Sequence, residues 1–275
     1  MLGAQIHGRV CGGPFLSTYR FKEVPIGTTI AVNGKGGTGK TTISALLIKH
    51  LVSNKSGSVL AVDADPNSNL PEILDVKNAQ TIVGVVEEMS KNMDKIPGGM
   101  TKDRYIEMRV QETLAEEDGF DLLVMGRPEG PGCYCYVNNL LRGIMEKIIN
   151  NYAFVIIDNA AGMEHISRRT MRAIDVLLFV SDHSIFGVRS AKRIFDLANE
   201  LKIKFKDAFL IVNKISGSTE SIEKEIADSH LELAGTIPYE QELHELGISA
   251  KTIFEFEDSI LKDSVEEIVK KIMKG

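Results

Sequence analysis

The sequence predicts a doubly wound α/β fold, a single mainly parallel β-sheet with helices on both faces. Three observations carry this expectation. Short apolar runs of strand length recur along the chain, helical segments separate them, and the first run passes through a glycine-rich loop directly into a helix. Thr28-Thr29-Ile30-Ala31-Val32 reads as the first strand, and Thr41 to Leu51 as the first helix, with Ile43, Leu46, Leu47 and Leu51 along one side. Six further strands are expected at Ser58 to Val62, Asp121 to Met125, Phe154 to Ile157, Val176 to Val180, Ala208 to Val212 and Leu233 to Ile237. Ser259 to Lys274 reads as a closing helix. Residues 1–26 place Gly8, Gly12, Gly13 and Pro14 among mixed residues without a sustained period, and are expected to be an irregular or disordered extension. Residues 27–275 are expected to form one domain, because no repeat, low-complexity tract or linker divides them.

The 275 residues, 43% hydrophobic and 6% aromatic, suffice for a full core. A net charge of −6 argues against nucleic-acid binding, which relies on clustered lysine and arginine. No run approaches the ~18 apolar residues of a membrane helix, and the N-terminus lacks the apolar centre of a signal peptide. With only three cysteines, these features predict a cytoplasmic protein with reduced thiols. Cys11 lies in the extension and is read as a bystander.

The loop Asn33-Gly34-Lys35-Gly36-Gly37-Thr38-Gly39-Lys40-Thr41-Thr42 fits the spacing G-x-x-x-x-G-K-[ST]. Glycines admit positive φ and let backbone N–H groups close around phosphate oxygens, and the following helix N-terminus adds partial positive charge. Lys40 is expected to reach the β- and γ-phosphates, and the Thr41 hydroxyl to bind Mg²⁺. Gly34 to Thr42 therefore make a nucleoside triphosphate site. The blander alternative, a turn without chemistry, requires motif and flanks both to be accidental.

Lys35 is not needed to cradle its own phosphates. With this lysine the loop resembles the deviant Walker A family, which includes the Min and Par positioning ATPases, nitrogenase iron protein and metal-insertion ATPases. The resemblance implies an ATP-hydrolysing homodimer in which Lys35 crosses to the partner's nucleotide. Ala61 to Leu70 carries Asp63 and Asp65 at the carboxyl end of a strand, where open α/β sheets bind ligands. It resembles switch I of that family, which implies that Asp65 positions or deprotonates the attacking water while Asp63 supports the Mg²⁺ shell and Lys40. Helix capping and turn formation by Asp-Pro-Asn is the alternative. Phe154 to Asp158 has the form of a Walker B strand, with Asp158 holding Mg²⁺ through water. Asn159-Ala160-Ala161-Gly162 follows as a switch II candidate, with Gly162 offering its N–H to the γ-phosphate. Asn213 matches the asparagine that reads adenine in relatives, and Pro238 and Tyr239 resemble the later base-contacting loop. ATP is thus favoured over GTP.

Cys133 and Cys135 sit one residue apart in Met125 to Val137, a loop rich in glycine and proline that directly follows a strand. A C-x-C pair closes a strain-free disulfide on itself with difficulty, but it can offer two thiolates to one soft metal ion. A two-fold dimer would complete a four-thiolate site. Two buried inert cysteines are the alternative reading. Gly126 to Cys135 resembles the signature of the CooC/AcsF type of nickel-insertion ATPases. That resemblance implies nickel or zinc held between subunits, and a carbon monoxide dehydrogenase or acetyl-CoA synthase apoenzyme as client. Two rivals stand beside it. An iron–sulfur electron carrier like nitrogenase iron protein needs a second cysteine just after Asp158, where Asn159 to Met163 has none. A Min- or Par-type positioning ATPase shares the loop and switches. Its Min-type members end in an amphipathic membrane helix, whereas Asp263, Glu266 and Glu267 in the last segment oppose anionic lipid, so packing on the sheet is the expected role of that helix.

Overall fold

In the computed structural model, residues 27–91, 96–127, 135–161, 174–245 and 251–274 are described. Their strands are β1 (Thr28–Gly34), β2 (Val59–Ala64), β3 (Ala115–Glu117), β4 (Phe120–Val124), β5 (Phe154–Asn159), β6 (Ile174–Asp182), β7 (Phe205–Ile215) and β8 (Glu232–Pro238). The helices are α1 (Lys40–Ser53), α2 (Leu70–Ile73), α3 (Ile82–Lys91), α4 (Lys102–Gln111), α5 (Cys135–Ile149), α6 (Ile185–Glu200), α7 (Glu220–Asp228), α8 (Gln241–His244) and α9 (Ser259–Ile272). One eight-stranded sheet results, in the order β3-β4-β2-β5-β1-β6-β7-β8. Every pairing is parallel except that of β3 with β4. The doubly wound α/β expectation holds.

The central strands are buried on both faces, which explains their near-continuous apolar composition. Ile30, Val32, Ala61, Ile156 and Leu178 face one layer, packed with Leu47 and Leu51 of α1 and Val265 and Ile268 of α9. Ala31, Leu60, Val62, Ile157 and Phe179 face the other, packed with α3, α4, α5, α6 and α7 through residues such as Val86, Ile106, Met145, Val188 and Ile222. Leu261, Val265, Ile268 and Ile272 are buried, so the apolar stripe of α9 is used in this core, and Asp258 caps the helix by accepting from the Leu261 N–H at 2.7 Å. No described helix is long and apolar enough to cross a membrane.

The expected strands are all present, several of them longer than their apolar runs. β7 begins at Phe205, where Lys206 and Asp207 interrupt the hydrophobic pattern, and Lys206 there pairs with Asp175 at 2.6 Å. β3 was not expected. It is a three-residue edge strand of polar character, turned back onto β4 by Asp118-Gly119 with Gly119 at φ +91°.

Candidate functional site

β1, β2 and β5 lie side by side and end at the same edge, with Asp63 of β2 and Asp158 of β5 directly paired in register. The glycine-rich loop joins β1 to α1 at that edge. Two of its glycines are required by contact as well as by conformation. A Cβ on Gly34 (φ +155°) would sit 2.4 Å from the Val180 carbonyl oxygen of β6, and one on Gly39 (φ +92°) would sit 2.3 Å from Asn213 Nδ2. The loop is drawn together at its first lysine. The Lys35 carbonyl accepts from the Thr38 hydroxyl at 2.9 Å and faces Lys40 Nζ at 3.4 Å. Lys40 is only 8% exposed, packed beneath the loop.

A cleft of about 600 Å³ opens over this edge. It brings together Gly36, Gly37, Gly39, Lys40, Thr41, Thr42 and Asp65 from the expected set, with Pro66 and Asn67 of the turn after β2 and Ala160 and Ala161 after β5. The two aspartates of the β2 segment differ in how their oxygens are used. Asp63 is fully buried, and both its oxygens are taken, by the backbone N–H groups of Asp65 and Leu70 at 3.0 Å each. Asp65 accepts from the Asn67 N–H at 2.9 Å in a short side-chain turn and stands at the cleft wall.

Burial pushes the Asp63 carboxyl up to about 7 against the pull of those two N–H groups, with Asp158 and Asp65 adding repulsion. Burial likewise pushes Asp158 up to about 6, opposed by hydrogen bonds from Thr41 and Ser44 and by the Lys40 charge. Asp158 and the Thr41 hydroxyl bonded to it give oxygen donors beside the cleft that fit a hard divalent cation such as Mg²⁺. Asp63, its oxygens already accepting two N–H groups, is the supporting carboxyl, paired to Asp158 in register. Ser44 was missed by sequence reasoning. Its hydroxyl donates to Asp158 Oδ1 at 3.2 Å, and a serine four positions after Lys40 on the inner face of α1 was the available signal.

Asn213 and the β8 end lie on the other side of the loop. Asn213 is 4% exposed and its amide donates to the Thr38 carbonyl at 2.9 Å. The Tyr239 N–H bonds the Ile215 carbonyl at 2.9 Å, which sets Pro238 and Tyr239 beside the end of β7. The Lys35 side chain is exposed and borders a separate cleft of about 560 Å³ with Phe186, Arg193, Ile194 and Leu197 of α6. Gly162 and Cys133 lie outside the described residues, as do 1–26 and Cys11. Cys135 is the first residue of α5, and among the described residues no group of three or more His, Cys, Asp or Glu is arranged to hold a metal ion.

The fold and the sequence both have counterparts among known proteins. The fold overlays on the MinD cell division protein of Aquifex aeolicus with a TM-score of 0.63 at 22% identity, over 90% of this chain and 97% of that one. An uncharacterized ATP-binding protein of Methanocaldococcus jannaschii is 46% identical over 248 residues, 89% of this chain and 98% of its own. The carbon monoxide dehydrogenase accessory protein CooC of Rhodospirillum rubrum is 30% identical over 223 residues, 77% of this chain and 83% of its own. The family model described as the CobQ/CobB/MinD/ParA nucleotide binding domain matches residues 29–253, and the chain belongs to that family.

Proposed function

We propose that this protein is an ATP-hydrolysing homodimeric switch that carries a soft metal ion, nickel or zinc, on Cys133 and Cys135. The client is a carbon monoxide dehydrogenase or acetyl-CoA synthase apoenzyme. The observation that carries the reading is the connection between the nucleotide edge and the cysteine segment. The Met125 N–H, just after β4, donates to the Asp63 carbonyl at 2.8 Å, so the strand that runs on toward Cys133 and Cys135 is joined to β2 at the aspartate paired with Asp158. α5 then begins at Cys135. Similarity to the carbon monoxide dehydrogenase accessory protein of R. rubrum supports a carbon monoxide dehydrogenase as client.

In this reading the loop N–H groups and Lys40 bind the phosphate chain, and Asp65 orients a water toward the γ-phosphate from the cleft wall. Asp63, Asp158 and Thr41 would hold Mg²⁺, which supplies charge neutralisation at the phosphates. Loss of the γ-phosphate removes the charge that Lys35 of the partner was held by, and the dimer loosens. Lys35 is exposed and borders the half-exposed apolar side of α6, where Phe186 is 74% and Leu197 38% exposed, a face suited to a second copy. Lys35→Ala is expected to leave ATP binding by the monomer measurable and to slow hydrolysis by roughly 10²-fold. Turnover at the parental rate would remove the shared-site argument.

The deciding experiment is titration with Ni²⁺ and Zn²⁺ under reducing conditions, with and without ATP, while the oligomeric mass is followed. One metal per dimer, with affinity shifted by nucleotide, is expected. Absence of binding would leave a positioning switch, and a brown iron–sulfur chromophore would make the protein an electron carrier.

A further inference from the structure

The end of β7 does more than the expected adenine asparagine requires. Between Val212 and Ile215 the β7–β8 register slips: Val212 faces Thr236 and Ile215 faces Pro238, so β7 carries one extra residue. In a regular strand Asn213 and Lys214 would point to opposite faces. The bulge instead turns both toward the phosphate loop. Asn213 Nδ2 donates to the Thr38 carbonyl at 2.9 Å and Lys214 Nζ to the Gly37 carbonyl at 2.9 Å, so two consecutive residues bind two consecutive loop carbonyls.

Lys214 reaches this position in the left-handed region, at φ +59°. A side chain there costs on the order of 1 kcal/mol or more and persists only where the surroundings fix it. Three hydrogen bonds along residues 214–216 do so. The Lys214 N–H donates to Asn213 Oδ1 at 2.9 Å, the Ile215 carbonyl accepts from Tyr239 at 2.9 Å, and the Ser216 N–H donates to His183 Nδ1 at 3.2 Å. A lysine in the left-handed region, with its own N–H and the two residues after it each hydrogen-bonded and its ammonium on a loop carbonyl, points to a role in the shape of that loop.

A phosphate loop works only if its N–H groups point inward and its carbonyls outward, since a carbonyl turned into the cleft would repel phosphate oxygens. We propose that Lys214 is a positioning residue of the nucleotide site, holding the Gly37 carbonyl outward so that the loop is pre-shaped for the phosphate chain before nucleotide arrives. This rests on the chain binding nucleotide through that loop. Because Lys214 acts on the loop and not on the γ-phosphate, ADP and ATP are affected alike.

The test is the dissociation constant of ADP and of a non-hydrolysable ATP analogue for the parent and for Lys214→Met, Lys214→Arg and Lys214→Gly, with Tm measured for each. Lys214→Met is expected to bind both nucleotides about tenfold more weakly, and Lys214→Arg to recover most of the loss. Lys214→Gly separates positioning from stability. Glycine relieves the left-handed strain, so its Tm is expected at or above that of Lys214→Met while nucleotide affinity stays about tenfold below the parent. Parental affinity in the Met or Gly variant overturns the proposal. So does a loss confined to the ATP analogue, which would place the ammonium on the γ-phosphate, or an affinity that simply follows Tm across the three variants. A parent that binds neither nucleotide would defeat the nucleotide reading itself, a result distinct from any of these.

Discussion

Asp65→Asn is expected to lower ATP turnover by about 10²–10⁴-fold, the contribution of a positioned carboxylate acting on an attacking water. The substitution isolates chemistry from structure. An asparagine oxygen can still accept from the Asn67 N–H, so the turn after β2 keeps its shape, and the Ser68 contacts go to the Asp65 backbone carbonyl, which is unchanged. What is lost is the basicity and the negative charge at the cleft wall. ATP affinity is expected to stay within several-fold of the parent, and the ATP-bound dimer to accumulate, because the step that loosens it is blocked. Single-turnover hydrolysis with light scattering reads both quantities. Asp63 is the control. Each of its oxygens already accepts a backbone N–H, so Asp63→Asn must set an amide NH₂ against the N–H of either Asp65 or Leu70, and is expected to lower Tm as well as turnover. If Asp65→Asn turns over within threefold of the parent, Asp65 is a turn residue and the water is positioned elsewhere.

Much of this site was legible in the sequence because its chemistry fixes spacing. A phosphate cradle needs glycines, a lysine and a hydroxyl at set intervals, and an aspartate that ends an apolar strand arrives at the sheet edge whatever the rest of the fold does. Gly34, Gly39, Lys40, Asp63 and Asp158 are therefore singled out by pattern; in the structure Gly39, Lys40 and Asp65 line one cleft, and Asp63 pairs in register with Asp158. The order of strands is a finding of the structure: β2, β5 and β1 become neighbours only once the sheet is formed. What could not be read depends on contacts between distant segments. The carbonyls that Asn213 and Lys214 hold lie about 175 residues away in sequence, and the bulge that aims both side chains has no glycine or proline to announce it. β3 escaped because three polar residues carry no hydrophobic alternation, although Asp118-Gly119 was a turn signal. The long β7 and β6 strands were shortened in prediction by Lys206, Asp207 and Asp175, charges that sit at strand starts where the sheet meets solvent.

The cysteine pair yields the other large effect. Cys133→Ser combined with Cys135→Ser is expected to abolish stoichiometric binding of nickel and zinc while ATP affinity remains close to that of the parent. A hydroxyl keeps the volume of the thiol within a fraction of a methyl group, but at neutral pH it does not ionise to the soft anion these metals select, whereas a thiol of pKa ~8.5 does when metal is present. The nucleotide loop, Asp63 and Asp158 are covalently intact in this variant, so a loss of metal with retention of ATP assigns the metal to the pair and not to the phosphate edge. Metal affinity in the parent is expected to fall steeply as pH drops, because protons compete for the thiolates, and that dependence is expected to vanish with the pair. Inductively coupled plasma analysis of the dialysed proteins, beside ADP titration, measures both. The proposed switch has its own signature here: ATP is expected to shift metal affinity in the parent, and by thermodynamic reciprocity metal must then shift ATP affinity by the same factor. Equal metal content in the double variant and the parent would return Cys133 and Cys135 to the role of inert cysteines and leave an ATP-driven switch without a metal cargo.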